Sequence, residues 1–243
     1  SNNIKCIVVH CNFKLRGIES DSDEQFVKKL SIQNGFDFYS RQFDTLQYAE
    51  GNGISIQMAA RELRYQFFEE ILKKTSCSLI ATAHHADDSI ETFFVNILHG
   101  TGLRGLGGIP VKNGNIIRPL LFATRLEIEE YAKQNNIKWR NDTSNFSNKY
   151  MRNKIRNLVI PVFDEIKPGF RNIMLRNIEN LKESYDLFDE LFFEKMKNIY
   201  TVKNNSAYIS INEIKKIFSG KPLLFHVLNK YGFDSRQVEK IWN

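Results

Sequence analysis

The residues best suited to chemistry in this sequence form an acidic cluster behind two histidines, running from His84 to Glu91. Asp87 and Asp88 could bind Mg²⁺, which prefers one or two carboxylates together with phosphate oxygens and water. The alternative is structural: Asp88 caps the helix that follows, and Glu91 completes the capping box. Capping does not explain two adjacent carboxylates behind two histidines. We interpret the cluster as a functional site in which one residue also serves as a cap.

Two arginines could supply positive charge to the same site. Arg61 and Arg64 lie three positions apart, so they share a face of a predicted helix whose apolar stripe contains Leu63 and Phe67. A guanidinium group binds phosphate oxygens through paired N–H donors. Each arginine alone is more often a surface residue, but beside the carboxylates the pair favours a phosphate site.

A glycine-rich segment from Gly100 to Gly108 contains Arg104. No GK[ST] follows its glycines and it does not open a helix, so it is neither a Walker A loop nor a dinucleotide-binding fingerprint. We predict a loop whose backbone can approach a ligand closely, with Arg104 as a candidate substrate contact.

Positive charge is concentrated in one stretch of a basic sequence. The formal net charge is +6, and between Lys149 and Arg176 there are seven basic residues against two acidic ones. Such a stretch is typical of a surface that binds phosphate groups, and also of a solvated helix face. Charge alone leaves both interpretations open.

The elements that must position these residues alternate between strand and helix. Apolar runs predict strands at 4–9, 36–43, 78–83 and 116–117, and helical periodicity predicts helices from about Ser20, at 56–71, 88–98 and 124–135. We expect Ser20 and Asp23 to cap the first helix. The alternation predicts an α/β fold with a parallel sheet, whose ligands bind beyond the carboxyl ends of the strands. His10-Cys11-Asn12 and the acidic cluster both follow predicted strands.

The sequence changes character in its last third. From Lys149 onward only helical periodicity is visible, interrupted at Pro161, at Pro168-Gly169 and between Lys203 and Ser206. We therefore predict two domains: residues 1–167 form the α/β domain, and residues 168–243 form a small helical accessory domain.

Composition limits the compartment and the class of protein. Three cysteines without CxxC spacing fit neither a disulfide framework nor a zinc site, which indicates a reducing cytoplasm. No apolar stretch could cross a bilayer and no signal peptide is visible, so we expect no membrane contact. The oligomeric state stays open, a homodimer included.

Seven short segments, spread over residues from about 5 to 161, fall into one register: His10–Gly17, Met58–Tyr65, Ala83–Thr92, His99–Leu106, Arg118–Leu121, Asn141–Asn145 and Tyr150–Arg156. Taken together and in this order, they resemble the tRNA(Ile)-lysidine synthetases, a family of PP-loop ATP pyrophosphatases. Each segment is weak alone, but the shared order is specific. The sequence after Pro161 is similar only in being helical, like the family's first accessory domain.

Two features depart from the family's pattern. The family carries an SGGxDS phosphate loop one strand and one helix before the His10 segment, whereas this sequence starts almost at that segment, after a Ser1-Asn2 stub. These residues alone are therefore expected to lack a main ATP cradle and to be inactive, and the family's last accessory domain is expected to be missing after Asn243. Phe13 stands where many members have a histidine, so it receives no chemical role.

The resemblance implies an ATP-dependent ligase. ATP adenylates the C2 oxygen of the wobble cytidine in an isoleucine tRNA with a CAU anticodon, and pyrophosphate leaves. The amine of L-lysine then attacks C2 and expels AMP, giving lysidine. The first step needs Mg²⁺ and guanidinium groups against phosphate charge, and the second needs a carboxylate that accepts a proton from the amine.

The resemblance also implies roles for individual residues. The catalytic residues are Arg64, Asp88 and Arg61, and the ligands of Mg²⁺ are Asp87 and Asp88. The residues that bind ATP are His10, Asn12, His84 and Asp87. The substrate contacts are Glu91, Arg104, Arg118, Arg152, Asn153 and Arg156, of which the last three positions face tRNA.

Three alternatives compete with this interpretation. A tRNA thiolase would use a cysteine pair or an iron–sulfur cluster, yet only Cys11 lies near the predicted site. An amidotransferase needs a glutaminase domain or partner, and the sequence contains no such domain. A non-catalytic RNA-binding module is favoured if the native gene lacks the phosphate loop.

Overall fold

The computed structural model describes residues 4–142, 147–197, 199–204, 206–217 and 219–243. The Thr143-Ser144-Asn145 part of one predicted motif and the Ser1-Asn2 stub lie outside the described residues.

The described ranges contain both strands and helices. The strands are β1 (Ile7–Asn12), β2 (Asp37–Gln42), β3 (Ile80–Ala81), β4 (Lys112–Asn113), β5 (Ile116–Ile117), β6 (Tyr200–Lys203) and β7 (Ser206–Ile209). The helices are α1 (Ile18–Gln33), α2 (Thr45–Asn52), α3 (Ile56–Lys74), α4 (Ala86–His99), α5 (Leu103–Leu106), α6 (Arg125–Gln134), α7 (Met151–Lys154), α8 (Ile160–Ile166), α9 (Phe170–Met196), α10 (Ile211–Lys215), α11 (Gly220–Asn229) and α12 (Ser235–Trp242). A π-helical turn at Ile155–Val159 joins α7 to α8. None of the described helices has the length and apolar character needed to cross a bilayer.

Parallel strand pairs with intervening helices define the first part of the fold. β1 pairs in parallel with β2, with Ile7 opposite Asp37 and Asn12 opposite Gln42. β3 pairs in parallel with β5, and β4 adds to β5 in the antiparallel sense. The predicted α/β class with a parallel sheet is therefore confirmed, and the described strands of this part are divided between two small sheets.

The chain divides into two compact units. The first consists of Ser1–Thr92 and Ile109–Ile166, and the second of Phe93–Gly108 and Lys167–Asn243. The second unit thus includes the glycine-rich segment, which the predicted division at residue 167 placed in the first domain. A boundary between independently folding domains at residue 167 stays a prediction.

Strand β1 begins and ends three residues later than predicted. It includes His10, Cys11 and Asn12, which were expected to follow the strand. Asn12 is 1% exposed, and its polar side chain can be buried because α1 supplies its hydrogen-bond partners. The prediction that the strand ends before His10 was wrong, because the residues that allow Asn12 to be buried belong to α1 and not to the strand.

Helix α1 also begins differently from the prediction. Gly17, with a φ of 53°, occupies the cap position without a side-chain cap, and the helix starts at Ile18. Ser20 lies inside the helix, where its hydroxyl oxygen accepts the backbone N–H of Arg16 at 3.1 Å. Asp23 binds arginines instead of the helix backbone. The predicted cap at Ser20 and Asp23 is therefore wrong.

Helix α3 follows its predicted pattern closely. The hydroxyl of Ser55 accepts the backbone N–H of Met58 at 3.2 Å and caps the helix. The buried residues of α3 are Ala59, Leu63, Phe67 and Ile71, which repeat at helical spacing. Burial of a Leu or Phe side chain contributes roughly 1.5–3 kcal/mol. This face fixes the rotation of α3 and thereby the direction of its arginines.

The second unit has its own apolar core and one feature that the sequence analysis missed. Its core consists of Phe192, Met196, Ile214, Leu223, Leu224, Val227 and Val238. β6 and β7 pair as an antiparallel hairpin, with Tyr200 opposite Ile209. The predicted helical character of this part is confirmed by α9 to α12, but the hairpin was not predicted; Asn204 at the end of β6 takes a φ of 49°.

Candidate active site

The acidic cluster lies at the start of α4, just after β3. Asp87, Asp88 and Glu91 are all buried. Asp88 is the third residue of the helix, and its Oδ2 accepts the backbone N–H of His85 at 2.9 Å. This contact is half of a capping box, in which a carboxylate at the third helical position binds the backbone of the residue before the helix. Asp88 therefore helps to cap α4, as expected for one residue of the cluster, whereas the alternative in which Glu91 completes the box is wrong.

Glu91 instead binds two arginines from α7 and the π-helical turn. Arg152 Nε donates to Glu91 Oε2 at 2.7 Å, and Arg152 Nη2 donates to Asp88 Oδ1 at 2.9 Å. Arg156 Nε donates to Glu91 Oε1 at 2.5 Å, and its Nη2 to Glu91 Oε2 at 2.9 Å. The side chain of Glu91 is 2% exposed, whereas those of Arg152 and Arg156 are 39% and 24% exposed. The two guanidinium groups therefore neutralise a buried carboxylate.

These contacts bear on the residues predicted to face tRNA. Arg152 and Arg156 bind carboxylates of their own unit, and Asn153 Nδ2 donates to the carbonyl of Ser147 at 2.7 Å. A phosphate group would have to share these guanidinium groups with Glu91. RNA contact by the three residues stays a prediction.

Asp87 has a structural partner of its own. Its Oδ2 accepts the backbone N–H of Arg125 at 2.8 Å, at the start of α6. The two carboxyl oxygens of Asp88 accept from His85 and Arg152. In this arrangement the two aspartates do not fit a magnesium site, since protein donors hold both oxygens of Asp88 and Oδ2 of Asp87. No cluster of three potential ligands occurs among the described residues. A metal at Asp87 and Asp88 stays a prediction that requires Arg152 to move.

A small cleft brings Arg64 to the acidic cluster. The cleft has a volume of about 330 Å³, and its lining includes Arg64, Thr82, His84 and Asp88. Thr82 Oγ1 lies 2.9 Å from His84 Nδ1. Burial lowers the pKa of His84, and the negative charge of Asp88 opposes this effect only in part. The imidazole is therefore uncharged at neutral pH, and the cleft combines a cation, a carboxylate and a neutral imidazole.

The second predicted arginine lies close to the same cleft. The positive charge of Arg61 contributes to the lowered pKa of His84, after burial and the charges of Arg118 and Arg152. The guanidinium of Arg61 lies 5.0 Å from the ring centroid of Tyr65, and that of Arg64 lies 5.2 Å from the centroid of Phe13. Both guanidinium groups thus lie over aromatic rings, which orient a guanidinium group without neutralising its charge.

Asn12 and His10, predicted to bind ATP, lie in a different network. Asn12 Nδ2 donates to Asp21 Oδ1 at 2.7 Å and to Glu24 Oε2 at 2.9 Å. Its Oδ1 accepts the backbone N–H of Lys14 at 3.0 Å. Burial lowers the pKa of His10, with Glu24 opposing. The structure therefore gives Asn12 a role in joining β1 to α1, and contact of either residue with ATP stays a prediction.

Two buried nitrogen atoms near the cluster have no hydrogen-bond partner within the described part of the chain: Arg118 Nε and His85 Nδ1. Arg118 is 7% exposed and donates from Nη1 to the carbonyl of Pro110 at 2.5 Å. A buried donor without a partner costs stability unless water or a ligand satisfies it. This supports the candidate status of Arg118 and adds His85, which the sequence analysis left without a role. Its imidazole lies 3.6 Å from both Asp87 and Asp88.

Arg104 belongs to the second unit, on the short helix α5. The predicted loop therefore contains a helical turn. A side chain at Gly105 would collide with the hydroxyl of Thr101, since an added Cβ would lie 1.9 Å from it. Packing against Thr101 therefore favours glycine at position 105, and this contact explains the glycine without a ligand. A substrate contact by Arg104 stays a prediction.

Two family models and several curated proteins match this chain. The family model described as the PP-loop domain matches residues 1–163, and the model described as the TilS substrate binding domain matches residues 202–243. A tRNA(Ile)-lysidine synthase from Porphyromonas gingivalis is 41% identical over 236 residues, which is 97% of this chain and 51% of that protein. One from Bacteroides thetaiotaomicron is 39% identical over 239 residues, or 98% of this chain and 55% of that protein.

Among solved structures, the U34-tRNA thiolase NcsA from Methanococcus maripaludis shares the fold. The TM-score is 0.57 at 16% identity, and the match covers 72% of this chain and 62% of that one. The chain spans about half the length of the curated relatives it matches. It belongs to the PP-loop domain family, in which tRNA(Ile)-lysidine synthases resemble it along nearly its whole length.

Proposed function

We propose that this chain forms part of a ligase that joins L-lysine to C2 of the wobble cytidine in tRNA(Ile) with a CAU anticodon. ATP first adenylates the C2 oxygen, and the lysine amine then displaces AMP to give lysidine. The observation that carries the proposal is the buried Asp88–Glu91 pair beside Arg64 and His84, in a chain 41% identical to a tRNA(Ile)-lysidine synthase. Its setting is the cytoplasm.

The arrangement of charges suits both steps. Arg64 and Arg61 offer guanidinium groups to the phosphates of ATP, where negative charge develops as pyrophosphate leaves. The ammonium group of lysine matches the carboxylates of Asp88 and Glu91, and Asp88 is the proposed acceptor of its proton. Arg118, whose buried Nε has no hydrogen-bond partner among the described residues, is suited to an anionic group of the substrate. Mg²⁺ commonly neutralises phosphate charge and is part of the proposal without an assigned site.

Arg152 must move away from Asp88 before lysine can bind to that carboxylate. Its guanidinium binds Asp88 Oδ1 at 2.9 Å in the free protein. A lysine ammonium that reaches the same oxygen competes with it, and the two cations cannot occupy one position. We therefore propose that substrate binding moves Arg152 from Asp88 while Arg156 keeps its two hydrogen bonds to Glu91.

The activity test uses the complete protein encoded by the gene that contains this chain. We expect conversion of ATP to AMP and pyrophosphate only when both L-lysine and a tRNA(Ile) transcript with a CAU anticodon are present. Chromatography of the digested tRNA should show lysidine at the wobble position. Incorporation of sulfur, or use of ammonia as efficiently as lysine, would contradict the proposal.

A second prediction separates tRNA binding from internal pairing. Replacing both Arg152 and Arg156 with alanine should lower the melting temperature, because Glu91 loses its partners. If the arginines also bind phosphates, tRNA affinity should fall, and each lost contact should remove roughly 0.7–0.9 from the slope of log affinity against log salt. A salt titration of tRNA binding measures this slope. An unchanged slope with a lower melting temperature removes the pair from the RNA contacts.

The matched control for that experiment is R41A. Arg41 binds Glu70 at 2.6 Å in an exposed pair of the same unit. The R41A substitution removes one positive charge and does not alter the acidic cluster. The slope of log tRNA affinity against log salt should therefore stay as in the unmodified protein. Because R41A removes one charge and the double variant removes two, a slope that falls about half as far in R41A would attribute the effect to net charge.

The thiolase alternative gains no specific support. At 16% identity the likeness to the thiolase structure concerns the fold alone. Burial raises the pKa of the Cys11 thiol to about 11, so the reactive thiolate form is rare at neutral pH. The ligase therefore remains the function best supported by the site.

A further inference from the structure

A second charged network lies apart from the acidic cluster, at the amino-terminal part of α1. Asp23 Oδ2 accepts from Arg16 Nη2 at 2.7 Å, and Asp23 Oδ1 accepts from Arg140 Nε at 2.6 Å. Arg16 also pairs with Asp142 at 3.2 Å. One carboxylate thus links the loop before α1 to a segment 117 residues away along the chain.

The segment held by this network forms a wall of a cleft beside the proposed site. Trp139, Arg140 and Asp142 line a cleft of about 1120 Å³. His85 and Arg156, which belong to the acidic cluster and its partners, line the same cleft. A displacement of the segment would therefore change the shape of the space that opens onto the cluster.

Asp23 is better shielded from water than an ordinary surface residue, so its ion pairs can hold the cleft wall more firmly. Its side chain is 19% exposed, against 53% for Glu70 in the exposed pair with Arg41. Burial opposes its ionisation, but the hydrogen bonds from Arg16 and Arg140 outweigh that effect and lower the pKa of Asp23. The carboxylate is therefore fully charged at neutral pH and holds both arginines.

We propose that Asp23 is a positioning residue that fixes the wall formed by Trp139–Asp142 next to the acidic cluster. It acts through Arg16 and Arg140, without touching the reacting groups. The relevance of the cleft to catalysis rests on the proposed function, whereas the anchoring of the wall does not.

The sequence supplies a reporter for the wall itself. Trp139 precedes Arg140 directly, and the second tryptophan, Trp242, can be replaced by phenylalanine to leave one emitter. In this background D23N should shift the emission of Trp139 to longer wavelength and increase its quenching by acrylamide, because the side chain gains freedom and contact with water. The conservative exchange D23E should restore most of the original emission. E70Q, which breaks an ion pair elsewhere, should leave it unchanged.

Activity and folding are measured on the same variants. In the complete protein, D23N should raise the KM for lysine or tRNA more than it lowers kcat, since the wall shapes the cleft and supplies no reacting group. A folded D23N protein with unaltered Trp139 emission and quenching overturns the proposal. If D23N does not fold, R140Q decides, because it removes the direct pair between Asp23 and the wall and leaves Asp23 in place. Unchanged Trp139 emission and quenching in R140Q then overturn the proposal. Absence of lysine-dependent activity in the unmodified protein would refute the proposed function and leave the Trp139 result standing.

Discussion

Replacing Glu91 with glutamine should destabilise the protein by about 3 kcal/mol, because it removes the charge that compensates two guanidinium groups. Glu91 is 2% exposed in its side chain and accepts hydrogen bonds from both Arg152 and Arg156. Glutamine keeps the shape, but its amide nitrogen would face an arginine donor. Both arginines are partly exposed and can turn to water, which holds the cost at the lower end of the range for a broken buried pair. Urea unfolding followed by circular dichroism measures this loss.

The control for E91Q is E70Q, which makes the same chemical change in an exposed pair. Glu70 binds Arg41 through both oxygens, at 2.6 and 2.8 Å. Solvent screens that pair, so its loss should change stability little. If E91Q and E70Q unfold at the same urea concentration, the pairing of Glu91 with Arg152 and Arg156 contributes no more than a surface contact.

The parts of the fold that the sequence predicted well are those whose signals are local. The hydroxyl of Thr124 and the carboxylate of Glu127 form a complete capping box at the start of α6, which lies within one residue of the predicted helix. The apolar stripe of α3 is likewise visible in its own nineteen residues. In both cases the residues that decide the structure are neighbours along the chain.

The pairs that form the site could not be predicted in the same way. Glu91 and its arginines are separated by 61 and 65 residues, and no local pattern says which acid an arginine will bind. One signal was available: Glu91 follows Ile90 near the start of a helix that continues with apolar residues, and a carboxylate in that setting calls for a cationic partner. The charge of the basic stretch is compatible with a phosphate-binding surface and with a solvated helix face, and it does not identify Glu91 as a partner.

The position of β1 shows a similar limit. Asn12 is buried only because Asp21 and Glu24 of α1 accept its two N–H donors. Periodicity treats an asparagine as the end of an apolar run, since a buried polar group without partners is costly. The partners become visible only when α1 is packed against the strand, so the prediction placed the polar cluster beyond the strand end.

The second large effect is expected at Asp88. Replacing Asp88 with asparagine should lower the rate of lysidine formation by roughly 10²–10⁴-fold, the usual contribution of a general acid or base. Asparagine keeps the size of the side chain, and its carbonyl oxygen can still accept the backbone N–H of His85. It cannot accept a proton from the lysine amine, and it attracts an ammonium group far less. Steady-state kinetics of AMP release in the complete protein measure the loss.

The stability of D88N must be known before its kinetics are interpreted. Glu91 still binds both arginines in this variant, so we expect a smaller loss of stability than in E91Q. The matched control is D44N: Asp44 caps α2 by accepting the backbone N–H of Gln47 at 3.0 Å, and the exchange is chemically identical. D44N should retain activity because the described contact of that carboxylate is with the backbone of its own helix. If D88N turns over as fast as D44N at equal stability, Asp88 serves only to cap α4 and to hold Arg152, and the proton acceptor must be sought elsewhere.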